Sequence, residues 1–380
     1  MEVVAEKLVP FTSALGSLIY VSHEWGGRDE PDPTGEQFEV LAASLEACDG
    51  GAPSRLRECV LDPRGCYLWL DYWSAPQSDP VAKLRAARNV AVFVGAADAV
   101  VVVAAPGRAH ADEPERRLTA ASAMSHGWRR LEQLLARTGP GAACVFVLDG
   151  GPAQRSDADD AGGAYASPLV SPELSPFRGR FPEPGRGADG GEAELVAQIL
   201  REHVDARCVA LRAEGDLEGF RTLAARRWAL FDGYEGHVPE ALGLHAFLEA
   251  SLFASAFDVG DAGDTPLHYA ALRDDARLID ALLDAGAPVD ARDARGRSPL
   301  DAAVQGSAPA AAGALLARGA AAGASLLVAA CRLPPGPRSV ALATLLLDRG
   351  ADPTPALKIA AAEGNAELCA LLERRGGVVG

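Results

Sequence analysis

A thirty-three-residue repeat in the C-terminal half constrains the fold of this chain more than any other feature. The segment Gly-Asp-Thr-Pro-Leu-His-Tyr-Ala-Ala at 263–271 returns as Gly-Arg-Ser-Pro-Leu-Asp-Ala-Ala at 296–303. The Leu-Leu pair at 282–283 returns with the same spacing at 315–316. A fixed period of this length is typical of stacked helical units, in which each unit covers the hydrophobic face of its neighbour.

The residue types of the repeat predict two helices in each unit. Pro266 and Pro299 suit the first turn of a helix, where a missing N–H costs nothing, and Thr265 and Ser298 stand before them as N-caps. Gly286 suits the left-handed position that ends a second helix. A turn, a Thr-Pro helix start and a Leu-Leu second helix together resemble the ankyrin repeat. That resemblance implies an α-solenoid that binds proteins through its hairpin tips and concave helix face.

The solenoid is expected to span residues 258–380, with further units at 325–352 and 356–375. Upstream, residues 193–257 are predicted to be helical and to cap its amino-terminal end. Within them, 208–223 resembles a degenerate ankyrin unit, and 228–255 is interpreted as an insertion before the clear repeats. A cap is expected because an end unit exposes the face that a neighbour would have covered.

The first 150 residues show a different pattern, in which continuous apolar strands alternate with helical segments. Strands that are apolar on both faces and separated by helices predict a parallel sheet covered on both sides. We therefore expect a doubly wound α/β domain over residues 1–150 and a helix over 118–137. The predicted strands are 15–21, 66–70, 99–104 and 144–148.

Residues 151–192 separate the two halves and are rich in Gly, Pro, Ser and Asp. A segment with so few apolar residues cannot build a core, and it is long for a connection. We predict a partly disordered linker, with Phe177 and Phe181 as the residues that would dock it onto a domain.

Four short segments of the first domain resemble, in order and spacing, the TIR domain. This resemblance implies a flavodoxin-like fold and a role in self-association or signalling. The loop at 72–77 lacks the glycine common in that family, and Arg129 and Arg130 stand where a Cys is often found. The four segments are Tyr20-Val-Ser-His-Glu-Trp25, Leu68-Trp-Leu-Asp71, residues 97–103, and Ser125-His-Gly-Trp-Arg-Arg-Leu-Glu132.

Some TIR domains cleave NAD⁺, and their catalytic glutamate matches Glu132. A carboxylate in a cleft can stabilise an oxocarbenium-like centre as nicotinamide leaves. The alternative is structural, because Trp128 and Glu132 are also an ordinary i, i+4 pair on an amphipathic helix, and many TIR domains are inactive scaffolds. The pocket-lining residues implied by the resemblance and by the carboxyl ends of the strands are Ser22, His23, Trp25, Asp71 and Trp128.

Composition restricts the partners. The net charge of −16 argues against nucleic acid or an anionic membrane as the main partner. Seven scattered cysteines without a Cys-x-x-Cys pair predict reduced thiols in an intracellular, cytoplasmic protein. No metal site and no resident cofactor are expected, and NAD⁺ enters only as a substrate if the catalytic interpretation holds.

The tip between the first two clear repeats carries both charges at high density. We predict that its charged side chains contact a protein partner, although a solvated charged turn fits the same pattern. These side chains are Asp290, Arg292, Asp293, Arg295 and Arg297.

From the sequence we expect an adaptor in which the repeats bind a protein and the TIR-like domain self-associates or signals, with two alternatives to this first function. The second is an NAD⁺ hydrolase regulated by the repeats. In the third, the α/β domain binds a nucleotide without turning it over.

Overall fold

The described residues form two compact units, one up to residue 207 and one from residue 208 onward. The computed structural model describes residues 16–23, 32, 35–49, 66–70, 74, 80–110, 113–118, 125–139, 144–148, 154–155, 175–179, 191–234, 241–323 and 325–377. None of the helices in these residues is long and apolar enough to cross a bilayer.

The first unit is built on a sheet with the order β2-β1-β3-β6-β7. The first four strands in this order run parallel, as the sequence predicts, and β7 pairs antiparallel with β6. The strands are β1 (Leu18–His23), β2 (Tyr67–Leu70), β3 (Ala99–Val103), β6 (Cys144–Leu148) and β7 (Gln154–Arg155), with a separate hairpin of β4 (Ala105–His110) and β5 (Glu113–Leu118).

Helices cover both faces of this sheet. On one face, Leu41 of α1 packs on Ile19 and Val21. On the other face lies α4, which contacts both β1 and the neighbouring α3. The helices of this unit are α1 (Glu36–Asp49), α2 (Pro80–Arg88), α3 (Val90–Gly95), α4 (Gly127–Thr138) and α5 (Gly191–Glu214), which continues past residue 207 into the second unit.

The predicted helix over 118–137 was wrong in its first part. Leu118 pairs with Ala105 in the β4–β5 hairpin, and the helix begins only at Gly127. Apolar spacing alone extended the helix too far, because Leu118 is equally suited to a strand facing the interior, where it is buried.

Described parts of the segment 151–192 pack against the first unit. Gln154–Arg155 forms β7, and Pro176 starts a 3₁₀ turn that contacts α4. A Cβ on Gly179 would lie 2.5 Å from the backbone nitrogen of Gly127, so this turn touches the start of α4 through bare backbone. Phe177 is half-buried in this turn, whereas Phe181 lies outside the described residues.

The second unit is a stack of helix pairs, which we name units A to E. First helices stack on first helices along the series and second helices on second helices, and they share one continuous apolar core. The pairs are α6 (Leu217–Arg226) with α7 (Leu244–Ala250), α8 (Pro266–Leu272) with α9 (Ala276–Asp284), α10 (Pro299–Gln305) with α11 (Pro309–Ala317), α12 (Ser325–Cys331) with α13 (Pro337–Asp348), and α14 (Pro353–Ala362) with α15 (Ala366–Arg374).

Unit A differs from the interpretation drawn from the sequence. Helix α6 contacts α8 and helix α7 contacts α9, so α7 is the second helix of the degenerate unit rather than part of an insertion in front of the repeats. The inserted residues lie inside unit A, between α6 and α7, and include a 3₁₀ turn at Arg227–Phe231.

Candidate functional site

The hairpin tips of the solenoid are held together by backbone and capping interactions. Gly263 and Gly296 take the left-handed conformation that the tip requires, with φ of 75° at both. The backbone N–H of Ala294 donates to the carbonyl of Ala262 at 2.8 Å, which links the tip before unit B to the tip before unit C. Neighbouring tips therefore form a continuous rim.

His268 is part of this structural network. Its Nδ1 accepts from the backbone N–H of Thr265 at 3.2 Å, and its Nε2 donates to the carbonyl of Arg297 at 3.1 Å. Desolvation of the fully buried ring lowers the pKa of His268, which favours the neutral ring, and the two hydrogen bonds fix the tautomer. In unit C, the Asp301 carboxylate likewise accepts from the backbone N–H of Ser298, the N-cap residue of α10.

Two of the five predicted partner-binding residues shape the tip itself. Asp293 is buried, and it accepts hydrogen bonds from the backbone N–H groups of Arg295 and Arg297 and from the Arg297 guanidinium. Burial alone would raise the pKa of Asp293, but the hydrogen bonds from Arg297 and Arg295 and the charge of Arg297 hold it below its ordinary value. Asp293 and Arg297 therefore orient the turn.

The other predicted residues lie nearer the surface. Arg292 donates to the carbonyl of Gly296 at 2.9 Å, and its side chain is about half exposed. Arg295 is similarly exposed and approaches Glu218 at 2.6 Å. Asp290 accepts from the backbone of Ala321 in the following tip at 3.0 Å. The two arginines are the cations that this rim presents to solvent.

In the first unit, Glu132 lies against the sheet. The hydroxyl of Ser22 donates to its Oε2 at 2.6 Å, and the phenol of Tyr20 donates to its Oε1 at 2.9 Å. Both donors are buried and occupy alternate positions of β1, so they share one face of the sheet. The resemblance placed Ser22 in the same pocket as Glu132 but did not point to Tyr20, which strand alternation would have placed on the same face as Ser22.

Of the remaining predicted pocket residues, the structure describes Trp128 and His23. Trp128 precedes Glu132 by one turn of α4, and its indole N–H donates to Glu192 at 3.0 Å. Alternation along β1 places His23 on the opposite face from Ser22. Trp25 and Asp71 lie outside the described residues.

No cluster of metal-ligating side chains occurs in the part of the chain that the structure describes. Sequence reasoning missed two arginines of the solenoid, the buried Arg221 and the half-buried Arg338. Each forms ion pairs with aspartates far away in the chain. No local signal marks them, since an isolated arginine on a helix looks like a surface residue.

Comparison with known families identifies the middle part of the solenoid. Residues 242–325 match the family model of ankyrin repeats (3 copies). The match begins at the start of unit A's second helix, in agreement with the packing of α7. A search of curated proteins found no match. Residues 242–325 are therefore ankyrin repeats, which implies a role in protein–protein interaction.

Proposed function

We propose that this chain is a protein-interaction adaptor whose ankyrin repeats select the partner, while its α/β unit self-associates or signals. The observation that carries the proposal is the construction of the rim. Asp293, Arg297 and His268 hold the tips in one conformation. Arg292 and Arg295 lie about half exposed at their surface, paired with Asp301 and Glu218. A rim ordered before binding loses little conformational entropy when a partner docks.

Charge reversal at these two arginines tests this role. We expect Arg292→Glu with Arg295→Glu in the full chain to weaken capture of the partner, identified by quantitative mass spectrometry of proteins bound to the immobilised chain. The matched control is Arg277→Glu, an exposed arginine on α9, remote in sequence from the tip. A partner set that is unchanged in the double variant would overturn the assignment of this surface.

The contribution of the α/β unit is proposed from its sequence resemblance to the TIR domain. The parallel order β2-β1-β3-β6 supports a flavodoxin-like sheet, in which the first three strands follow the order 2-1-3. Self-association is checked by light scattering of the full chain over a range of concentrations. A chain that stays monomeric throughout would remove this half of the proposal.

A second candidate function is cleavage of NAD⁺ at the bond to nicotinamide. The specific observation that favours it is the fixed position of the Glu132 carboxylate, which two buried hydroxyl donors hold at the sheet. A carboxylate held in this way would stabilise positive charge on the ribose as nicotinamide leaves. The donors equally fit a structural glutamate that anchors α4.

Nicotinamide release by the full chain distinguishes these roles. Residues 175–179 and α5 pack in the first unit, so a fragment ending near residue 150 would lack part of it. Release that is lost in Glu132→Gln and kept in Glu192→Gln would establish the enzyme. NAD⁺ binding without release would instead indicate a nucleotide-binding domain, and neither binding nor release would leave the adaptor.

A further inference from the structure

The turn that ends unit A breaks a rule which the other units obey. The second residue after each second helix takes a left-handed conformation, and in units B to E it is a glycine, namely Gly286, Gly319, Gly350 and Gly376. In unit A the same position is Leu252, with φ of 58°. The equivalence is shown by the hydrogen bond that follows, from Phe253 to Leu248 and from Ala287 to Leu282.

A leucine in this conformation is strained, because its Cβ crowds the neighbouring carbonyl. The Leu252 side chain does not gain burial in return, since it is exposed. A glycine would make the same turn without strain, so the leucine is a reason to look for a function nearby.

Two more exposed apolar side chains follow Leu252 in the same turn. Phe257 is 59 % exposed, and its ring rests against the backbone of Gly286, where an added Cβ would lie 3.3 Å from Cε1. Val259 is 66 % exposed. We name Leu252, Phe257 and Val259 the apolar rim.

The loop that carries the apolar rim is held in one shape by Asp258. Its carboxylate accepts from the backbone N–H groups of Ala254 and Ser255 at 2.5 and 3.2 Å, and from the Ser255 hydroxyl at 2.7 Å. Phe257 and Val259 flank Asp258 in the chain, so the same bonds fix their positions. The apolar side chains therefore stay in solvent within an ordered turn, which is the arrangement of a preorganised binding surface.

The charges that flank the apolar rim along the chain are acidic. Arg221 does reach the Leu252 carbonyl, but its guanidinium is buried and paired with Asp264. Between Arg227 and Arg273 the chain contains seven acidic residues and no lysine or arginine. Asp232 and Asp264 are used in ion pairs with Arg338 and Arg221. The acidic residues nearest the apolar rim in sequence are Glu249, Asp258 and Asp261, of which Glu249 and Asp261 are exposed.

From the strained leucine, the exposed apolar side chains and the acidic surroundings, we propose that the apolar rim is a docking surface for a partner segment that presents apolar side chains flanked by lysine or arginine. This inference rests on the proposed protein-binding function and names the chemistry of the partner. Apolar contact supplies binding free energy, and the acidic border selects against acidic segments.

The test uses the full chain as bait for a phage-displayed library of random peptides. Enriched peptides are expected to combine apolar residues with lysine or arginine, and their binding is expected to weaken as salt rises. In fluorescence polarisation with the enriched peptides, Phe257→Ser with Val259→Ser should lower affinity by roughly tenfold or more. The matched control is Val209→Ser, which removes a side chain of similar exposure, 68 %, from α5.

Leu252→Gly provides a second, independent readout. It relieves the backbone strain and removes the apolar side chain, so the unfolding temperature should rise while peptide affinity falls. If Leu252 instead had a structural role, Leu252→Gly would lower both the unfolding temperature and the peptide affinity.

Several results would overturn the inference. They are enrichment of acidic or purely polar peptides, no enrichment at all, or binding that the double variant leaves intact. Self-association of the full chain that is lost in the double variant would assign the apolar rim to a second copy instead. The adaptor proposal is judged separately, by partner capture at Arg292 and Arg295.

Discussion

Arg221 and Asp264 form a deeply buried ion pair in the solenoid, with 3.3 Å between Nη1 and Oδ2. Arg221 also donates to the carbonyls of Ser251 and Leu252, and its guanidinium lies 3.8 Å from the centre of the Phe253 ring. One arginine of α6 thus joins the end of α7 to the residues before α8. This cluster connects degenerate unit A to unit B.

Removing one partner of the pair should destabilise the solenoid strongly. Asp264→Ala leaves the Arg221 charge buried without its counter-ion, and we expect the free energy of unfolding to fall by about 3–5 kcal/mol. The measurement is urea unfolding of the full chain followed by circular dichroism. Asp261→Ala removes an exposed carboxylate three residues earlier, and it should change the free energy of unfolding by less than about 0.5 kcal/mol.

The coupling between the two residues gives a further check. In the double variant Arg221→Met with Asp264→Ala, no unpaired charge stays buried. The fall in the free energy of unfolding should therefore be smaller than the sum of the falls in the two single variants. Additive losses would show that Arg221 acts through its carbonyl bonds alone.

Gly286 and Gly313 should respond in opposite ways to the same substitution. Gly286 has φ of 94°, and an added Cβ would meet Phe257, so Gly286→Ala should cost about 1 kcal/mol or more. Gly313 lies inside α11, and the nearest atom outside that helix, in Leu345, would lie 3.9 Å from an added Cβ, so Gly313→Ala should stabilise by about 0.5–1 kcal/mol. Thermal unfolding of the two variants checks the signs. Stabilisation by Gly286→Ala would contradict the role assigned to the left-handed turn.

Local signals in the sequence were enough to predict the regular repeats. Pro266 and Pro299 do begin first helices, and Gly286 does adopt a left-handed turn. The sequence indicated a degenerate unit at 208–223, but the second helix of unit A was missed because residues 227–243 separate it from α6 and its turn carries Leu252 instead of glycine. The residues between the two helices and the leucine in the turn interrupt the thirty-three-residue period at the positions that would have revealed the second helix.

Contacts between distant residues were beyond the reach of the sequence. Tyr20 and Glu132 are 112 residues apart, and their hydrogen bond depends on how α4 is rotated against the sheet. Apolar periodicity predicts that such a helix has a buried face but not which strand residue meets a polar side chain at the edge of that face. The same holds for the ion pair of Arg221 and Asp264, which are 43 residues apart.

The stability of the solenoid is expected to depend on the guanidinium of Arg338, which a lysine cannot replace. Its two terminal nitrogens reach Asp274 at 3.1 Å and Asp232 at 3.3 Å, and its guanidinium lies over the Trp228 ring. A lysine cannot contact two carboxylates and stack on an indole at once. Arg338→Lys should therefore lower the free energy of unfolding by about 1–3 kcal/mol.

Urea unfolding checks this value, with Arg332→Lys on an exposed arginine as the control. Equal stability of Arg338→Lys and the parent chain would show that a single positive charge is sufficient at this position.

The stability of the first unit should depend on pH through His203. The Thr138 hydroxyl donates to the carbonyl of Leu134, so it accepts from Nε2 of His203, at 2.9 Å. Burial, with a smaller contribution from the charge of Arg207, lowers the pKa of His203 to about 4. An unfolded histidine titrates near 6.5, so the unfolded chain binds the additional proton between these two values.

Stability should consequently fall as the pH drops from about 6.5 to about 4, by roughly 1–3 kcal/mol from this residue. His203→Gln can still donate to Thr138 but carries no titrating group, so it should lose that part of the pH dependence. The measurement is the difference in unfolding free energy between the parent chain and the variant at pH 7, 5.5 and 4.5, because carboxylates contribute equally to both. A difference that stays constant over this range would show that His203 does not titrate on unfolding.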